Sequence, residues 1–435
     1  MNKLDTTPYK GVRDFYPKEM QLQKYLFDTM RTACEKFGYI EYSASPLEPA
    51  ELYRAKSGEE IVNDQTYTFT DRGNREVTLR PEMTPTVARM VAGRRRELSF
   101  PLRWYSIPNL FRYENPQRGR LREHYQLNVD VFGISDLSAE REIISVASSI
   151  MKAFGATEKD FTILINSRQL MNDFFKEFFL SPSDIHNLSK LIDKKEKLSA
   201  ETFTDGVRKF LGDATETFIS RLSSPETFLK AVSDENENKQ RLLTCMNELR
   251  TRGMTNVSFS PTLMRGFDYY TDIVFEIFDT NPENTRSLFG GGRYDNLTTL
   301  FTNDNIPAVG FGMGDVTLAD FLATHNLLPT YSSEADVAVV WGEEEIANSA
   351  RDIIDMLREN NVCVIEYGHE KNMSDFYHFT EKNNIPSSLH ISKELLMKHE
   401  VVLKKTTQKG SDSVQTISSR EGIEELKKRL VENRK

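Results

Sequence analysis

From Tyr125 to Phe132 the chain reads YQLNVDVF, and its side chains alternate in character. Tyr125, Leu127, Val129 and Val131 fall on one side, and Gln126, Asn128 and Asp130 on the other. In an extended chain successive side chains point to opposite faces. The segment is therefore a strand with an apolar back that needs a core and a polar front that does not belong in one. A fold that satisfies both is a sheet with an apolar core behind it and a polar floor in front. Just upstream, FRYENPQRGRLREHYQ (Phe111 to Gln126) carries Arg112, Arg118, Arg120 and Arg122, and a second strand-like run, LRWYSIPNLF, precedes it. The plain explanation is a solvated hairpin tip with surface ion pairs. The polar floor beside it favours another: a ligand with a polyanionic end and further groups to be read. Arginine meets phosphate bidentately, where lysine offers only a point charge.

Composition narrows the setting. A chain of 435 residues predicts two or three domains, and 38% hydrophobic residues suffice for their cores. A net charge of -9 and a pI near 5.5 exclude a uniformly basic surface, so any nucleic-acid contact must be a local patch. Cys34, Cys245 and Cys363 are too scattered for a disulfide framework or a metal-ligand motif, which predicts a reducing cytosol. The start, MNKLDTTPYKGVRDFYP, lacks an apolar h-region, and no run is long enough to cross a bilayer. The expectation is a soluble cytoplasmic protein without membrane partners.

Along the chain, Leu22, Leu26, Met30, Ala33 and Phe37 form one helical stripe between Met20 and Phe37, which Gly38 ends. YIEYSASPLEP follows as a short strand closing on Pro46. A hairpin is predicted about Asp71 to Asn74, with a helix entered near Pro85. The stretch from about Ser167 to Arg252 is rich in Lys, Glu, Ser and Phe and reads as a helical insertion. Strands return at TDIVFEIF (Thr271 to Phe278) and AVGFGMG (Ala308 to Gly314). After the linker HNLLPTYSSEAD, DVAVVW, a helix from about Glu344 to Asn360, VCVIEY, another helix and a basic terminal helix alternate β and α, predicting a small parallel or mixed sheet. There is no internal repeat.

LFGGGRYDN (Leu288 to Asn296) and AVGFGMGD bring glycines to strands, where a backbone can approach a ligand closely. A bulge or packing contact is the alternative. Neither matches a P-loop or a dinucleotide turn, so a nucleotide would bind by another route. In LMRGFDYYTDIVFEIF, Arg265 and the pair Tyr269 and Tyr270 stand at a strand entrance, suited either to a pocket or to a core.

Together these stretches resemble the histidyl-tRNA synthetase family of class II aminoacyl-tRNA synthetases over nearly the whole chain. KGVRDFYP looks like its N-terminal signature, the helix and strand ending in Pro46 like motif 1, and the arginine turn with its strand like motif 2. RGFDYYT and LFGGGRYDNL look like the two histidine-specific signatures, and the last hundred residues like an anticodon-binding domain. The resemblance implies an α/β (α+β) fold: a catalytic domain over residues 1–330 with a six- to seven-stranded antiparallel sheet flanked by helices, a helical insertion at about 167–255, and an α/β anticodon-binding domain over 335–435. It implies a ligase that uses ATP and Mg2+ to activate L-histidine and charge tRNA(His), acting as a homodimer.

The resemblance also implies roles. Arg112 and Arg265 would be catalytic, flanking the α-phosphate. Glu82, Met83, Thr84, Arg112, Gln126, Asp130, Arg265, Tyr269 and Tyr270 would bind histidine, with Asp130 and Tyr270 each taking one imidazole nitrogen. Arg112, Glu114, Arg120, Arg122, His124 and Arg293 would bind ATP. Two departures stand out. The family ends the motif 3 strand with a Glu-Arg pair whose arginine reaches the γ-phosphate; here Val316 and Thr317 occupy those places, leaving Arg286 or Arg293 as substitutes. His124 stands where a phenylalanine usually stacks on adenine. Two rival readings are a regulatory paralogue that binds histidine or a partner without ligation, and a sensor of uncharged tRNA. Paralogues of the first kind generally lack the second domain and the arginine of RGFDYYT, and sensors of the second kind usually sit beside a kinase.

Overall fold

The computed structural model describes residues 3–54, 65–195, 198–264, 269–370, 372–406, 414–418 and positions 426, 428 and 430. The chain divides into two compact units, Met1–Leu328 and Pro329–Lys435.

In the first unit, α1 (Pro17–Glu35) begins on a proline, whose missing N–H costs nothing there, and buries Leu26, Met30, Ala33 and Cys34. Gly38, at φ 79°, supplies the left-handed residue that turns the chain into the two-residue edge strand β1 (Ile40–Glu41). Strands β2 (Leu47–Pro49), β3 (Tyr67–Thr70) and β4 (Glu76–Leu79) form a small antiparallel sheet. The predicted hairpin turn is stapled by Asp71, whose Oδ1 accepts from the amides of Gly73 and Arg75. Helix α2 (Thr84–Arg94) follows with Pro85 in its first turn.

The large sheet is built from β5 (Leu102–Ser106), β6 (Asn109–Phe111), β7 (Glu123–Phe132), β8 (Phe161–Ser167), β9 (Val257–Phe259), β10 (Ile273–Asp279), β11 (Ser287–Arg293) and β12 (Ala308–Gly314), together with β1. Its order is β1-β5-β7-β12-β11-β10-β8-β9, with β6 paired to β7. The run from β5 to β8 is antiparallel; β1 on β5 and β9 on β8 are parallel. Six strands thus form the expected antiparallel centre, and the short additions bring the described sheet to nine. Leu127, Val129 and Val131 of β7 face a core shared with α1 and α3 (Ser138–Ala153). Each such side chain contributes about 1.5–3 kcal/mol on burial.

The insertion is helical, with six α-helices among its described residues between Arg168 and Thr251. Its serines are N-caps: Ser167, Ser181, Ser199 and Ser224 each accept an amide three residues on, and Asn236 does the same for the last helix, α4 (Glu237–Thr251). Its phenylalanines form its core, where Phe174, Phe175, Phe218 and Phe228 are buried against one another. Helix α5 (Asp315–Thr324) then leaves the end of β12.

In the second unit, β13 (Val337–Trp341) lies between β14 (Val364–His369) and β15 (Ser387–Ile391), all parallel; β16 (Glu400–Lys405) and β17 (Val414–Ser418) continue antiparallel. Helix α6 (Ala347–Glu359) covers Val337, Val339 and Trp341, while α7 (Met373–Lys382) brings Phe376 against Ala338 and Val340. Burial on both faces explains the unbroken apolar run of β13. Most of the predicted basic terminal helix lies outside the described residues.

Candidate active site

The even-numbered face of β7 is the floor of a pocket. Gln126 and Asn128 rise from it beside Gly310, Gly312 and Gly290 of the neighbouring strands; Glu82, Thr84, Tyr269, Tyr270 and Tyr294 form the walls, and Arg112 the rim. The space inside the cleft, with the open solvent at its mouth included, is about 380 Å³. Two glycines are required by close approach. A Cβ on Gly310 would lie 2.1 Å from Asp130 Oδ1, and one on Gly312 would lie 2.8 Å from the Gln126 amide.

The carboxyl groups of the pocket are held by tyrosines. Tyr269 donates its hydroxyl to Glu82 Oε2 at 3.0 Å, and burial followed by the Glu82 charge raises the phenol well above its ordinary value, so it stays a donor. Tyr294 donates to Asp130 Oδ1 at 2.5 Å. Asp130 lies fully buried beneath the pocket rather than on its wall, and its Oδ2 has no partner among the described residues. Burial pushes its carboxyl up to about 7, against the opposing pull of the tyrosine bond. Asp130 is therefore poised between its neutral and charged forms at neutral pH. Met83 departs from expectation: it is wholly buried, its sulfur 3.9 Å from Arg80, and does not line the pocket, because its place between the pocket turn and α2 directs it into the core.

The four arginines of the turn have separate fates. Arg112 donates Nε to the Pro81 carbonyl at 2.9 Å and faces the pocket. Arg120 is exposed and pairs with Glu114 at 3.1 Å. Arg118, at the tip, donates to Asn284, and Arg286 donates to Gln117, which ties the turn to the loop between β10 and β11. Arg122 corrects the expectation of an ATP ligand. It is buried under the turn, donating to the Glu114 carbonyl and the Tyr9 hydroxyl, with its guanidinium 4.1 Å from the Tyr113 ring centre. His124 shares the face of Gln126, and burial, then Arg112 and Arg13, lowers its pKa to about 3. It is thus a neutral ring, able to stack.

Arg293 is a second correction. Its guanidinium is buried on the far side of the sheet, meeting both oxygens of Glu140 at 2.7 and 2.6 Å, Asp295, and the carbonyls of Ile134 and Asp136. Nothing of it remains for a triphosphate. Arg265, with Gly266, Phe267 and Asp268, lies outside the described residues. Thr317 Oγ1 donates to the Leu288 carbonyl, and its methyl group lies beside Gly119 of the turn. Asn128 and Tyr294 are the floor and wall residues that sequence reasoning did not assign; the alternation of β7 carried the signal for Asn128, and the tyrosine after the triple glycine carried the one for Tyr294.

The histidyl-tRNA synthetase family model matches residues 11–316. The chain belongs to the histidyl-tRNA synthetase family. A histidine–tRNA ligase of Leptospira biflexa is 47% identical over 78% of this chain and 78% of its own. One from Thermoplasma volcanium is 39% identical over 75% and 77%. The crystal structure of histidyl-tRNA synthetase from Nostoc sp. PCC 7120, 23% identical, shares the fold at a TM-score of 0.82 over 98% of this chain and all of that one. In the synthetase described here the family match covers the pocket, the arginine turn and β12, and stops one residue short of Thr317. Among the described residues, no helix is long and apolar enough to cross a membrane, and no three His, Cys, Asp or Glu side chains gather as a metal cage.

Proposed function

We propose that this synthetase activates L-histidine with ATP, releasing pyrophosphate, and transfers the histidyl group to the terminal ribose of tRNA(His). The observation that carries the proposal at the level of residues is the placing of two tyrosine-held carboxyls at one pocket, Glu82 in its wall and Asp130 beneath its floor. Glu82, with Thr84 and Gln126, takes the ammonium group. Asp130 and Tyr294 act as a unit on one imidazole nitrogen, with the second carboxylate oxygen open to a donor, and Tyr270 takes the other. A pocket that pairs both nitrogens leaves its own buried groups unpaired with any other side chain, which is worth roughly 10⁴-fold in discrimination.

Activation brings the histidine carboxylate up to the α-phosphorus, so two anions meet and charge stabilisation governs the step. Arg112 lies at the rim where that phosphate would sit, and Arg265 is proposed as its counterpart. His124 offers a neutral face to adenine, with Glu114 and Arg120 beside it. Magnesium is proposed to enter on the triphosphate, as this ion commonly does. The second unit is proposed to bind the anticodon, and the protein to work in the cytoplasm as a homodimer. Histidine-dependent exchange of pyrophosphate into ATP tests the reading. Purified protein that binds histidine but catalyses no exchange would transfer it to the regulatory paralogues.

A further inference from the structure

The N-terminal segment is built into the root of the arginine turn. Gly11, at φ 88°, passes so close that a Cβ there would lie 2.8 Å from both Arg122 Cγ and Pro116 Cγ. Its carbonyl accepts the amides of Arg122 at 2.8 Å and Glu123 at 3.3 Å, while Tyr9 takes the Arg122 guanidinium. Two residues on, Arg13 is therefore delivered to the start of β7. There its Nη2 meets Asp315 Oδ2 at 2.7 Å, and Asp315 Oδ1 accepts the amide of Tyr125, the residue after His124. The guanidinium lies 4.9 Å from the Phe15 ring, which packs edge-on against Tyr125.

This side chain is held firmly yet incompletely used. Asp315 is 4% exposed, while Arg13 keeps 29% of its surface open, and its Nε is buried without a partner. The Arg13 charge is felt at His124, where it helps keep the imidazole neutral. The neighbouring strand ends offer no substitute. Thr317 is neutral with its hydroxyl committed to the backbone, and Arg293 is locked behind the sheet. We propose that Arg13 binds the outer phosphates of ATP, supplying from the N-terminal segment the positive charge that Thr317 does not, with Asp315 as the residue that positions it. The inference rests on the reading that ATP lies over His124. It makes the N-terminal segment part of the nucleotide site, and it divides the triphosphate between Arg112 at the inner phosphate and Arg13 at the outer ones.

The test uses the full chain with Arg13→Gln and Arg13→Lys. Affinities for ATP and for adenosine are measured by titration calorimetry, and Michaelis constants for ATP and histidine by pyrophosphate exchange. Losing a charge-assisted contact should weaken ATP roughly 10- to 100-fold in Arg13→Gln. Adenosine affinity and the Michaelis constant for histidine should stay within about twofold, and Arg13→Lys, which keeps the charge but not the fork, should recover part of the loss. Asp315→Asn should weaken ATP in the same selective way but less. Equal weakening of ATP and adenosine, a parallel rise in both Michaelis constants, or unchanged ATP affinity would each overturn the proposal, the first two marking Arg13 as a structural pin. Because the titrations do not depend on turnover, an inactive wild-type protein would defeat the ligase reading while still judging Arg13.

Discussion

Replacing Asp130 by asparagine should change the pH dependence of stability more than stability itself. In the folded chain burial raises the Asp130 carboxyl to about 7, from an unfolded value of 3.8. A carboxyl raised by folding contributes stability that is whole below its unfolded pKa and is lost as pH climbs to its folded one. Three units or so correspond to about 4 kcal/mol lost in full at alkaline pH. Over a third of this is already gone at pH 5, leaving on the order of 2–3 kcal/mol to be lost between pH 5 and 8. The side chain introduced by Asp130→Asn cannot ionise, and its carbonyl oxygen can still accept from Tyr294, so the variant should lack that decline. Trp104 lies directly across from Asp130 in the β5–β7 register, and the other tryptophan, Trp341, is in the second unit. Urea unfolding followed by Trp104 fluorescence in a Trp341→Phe background therefore reports on the right unit. The free-energy difference between this parent chain and its Asp130→Asn variant should shift by about 2–3 kcal/mol in favour of the variant from pH 5 to pH 8. Parallel curves at the two pH values would mean that the carboxyl does not titrate in this window and that its burial is relieved by a partner.

Two other outcomes are expected. Arg293→Met should cost toward the low end of about 3–5 kcal/mol, because it leaves the buried Glu140 carboxylate only its longer contact to Arg241, while the folded fraction keeps its affinity for ATP; a selective loss of ATP affinity would restore Arg293 to the nucleotide site. Ile40 is 68% exposed on the edge strand β1 and Leu47 is 48% exposed nearby, so the chain should sediment as a dimer, and Ile40→Lys should push it toward monomer. An active wild-type species of about 50 kDa alone would exclude that surface as an interface.

The parts of this fold legible in the sequence are those where one residue pattern repeats long enough to be read. β7 alternates over seven residues, Tyr125 to Val131, and β12 runs over the predicted segment, Ala308–Gly314. The insertion announced itself by its serines and phenylalanines, which the structure uses as caps and core. β1 falls within the short strand expected at YIEYSASPLEP, but its parallel pairing and the three-residue β9 are not legible, because two or three residues carry no period. The antiparallel centre was legible because each of its strands is longer, and its helices lie on the face to which the apolar residues point.

The site was legible as a composition and not as an assignment. Arg112, Arg118, Arg120 and Arg122 are equivalent in the sequence, and only their surroundings separate them. Backbone pairing decides between them: the Arg112 amide bonds to the Arg122 carbonyl at 2.8 Å, so the two residues face each other at the base of the turn. With Gly11 passing on one side and Pro81 on the other, Arg122 is driven under the turn and Arg112 out over the pocket. Likewise, an arginine after three glycines looks available to a phosphate until Glu140, 153 positions away, is seen to hold it. Charge that the sequence placed in one cluster is thus shared among a pocket, a scaffold and a far-side ion pair. A second cation near His124, after Arg112, comes from Arg13, which sequence spacing alone could not associate with the turn. A synthetase that has no fixed arginine at the end of β12 can keep the same electrostatics, provided another segment carries a guanidinium to the same wall and an anchored carboxylate holds it there.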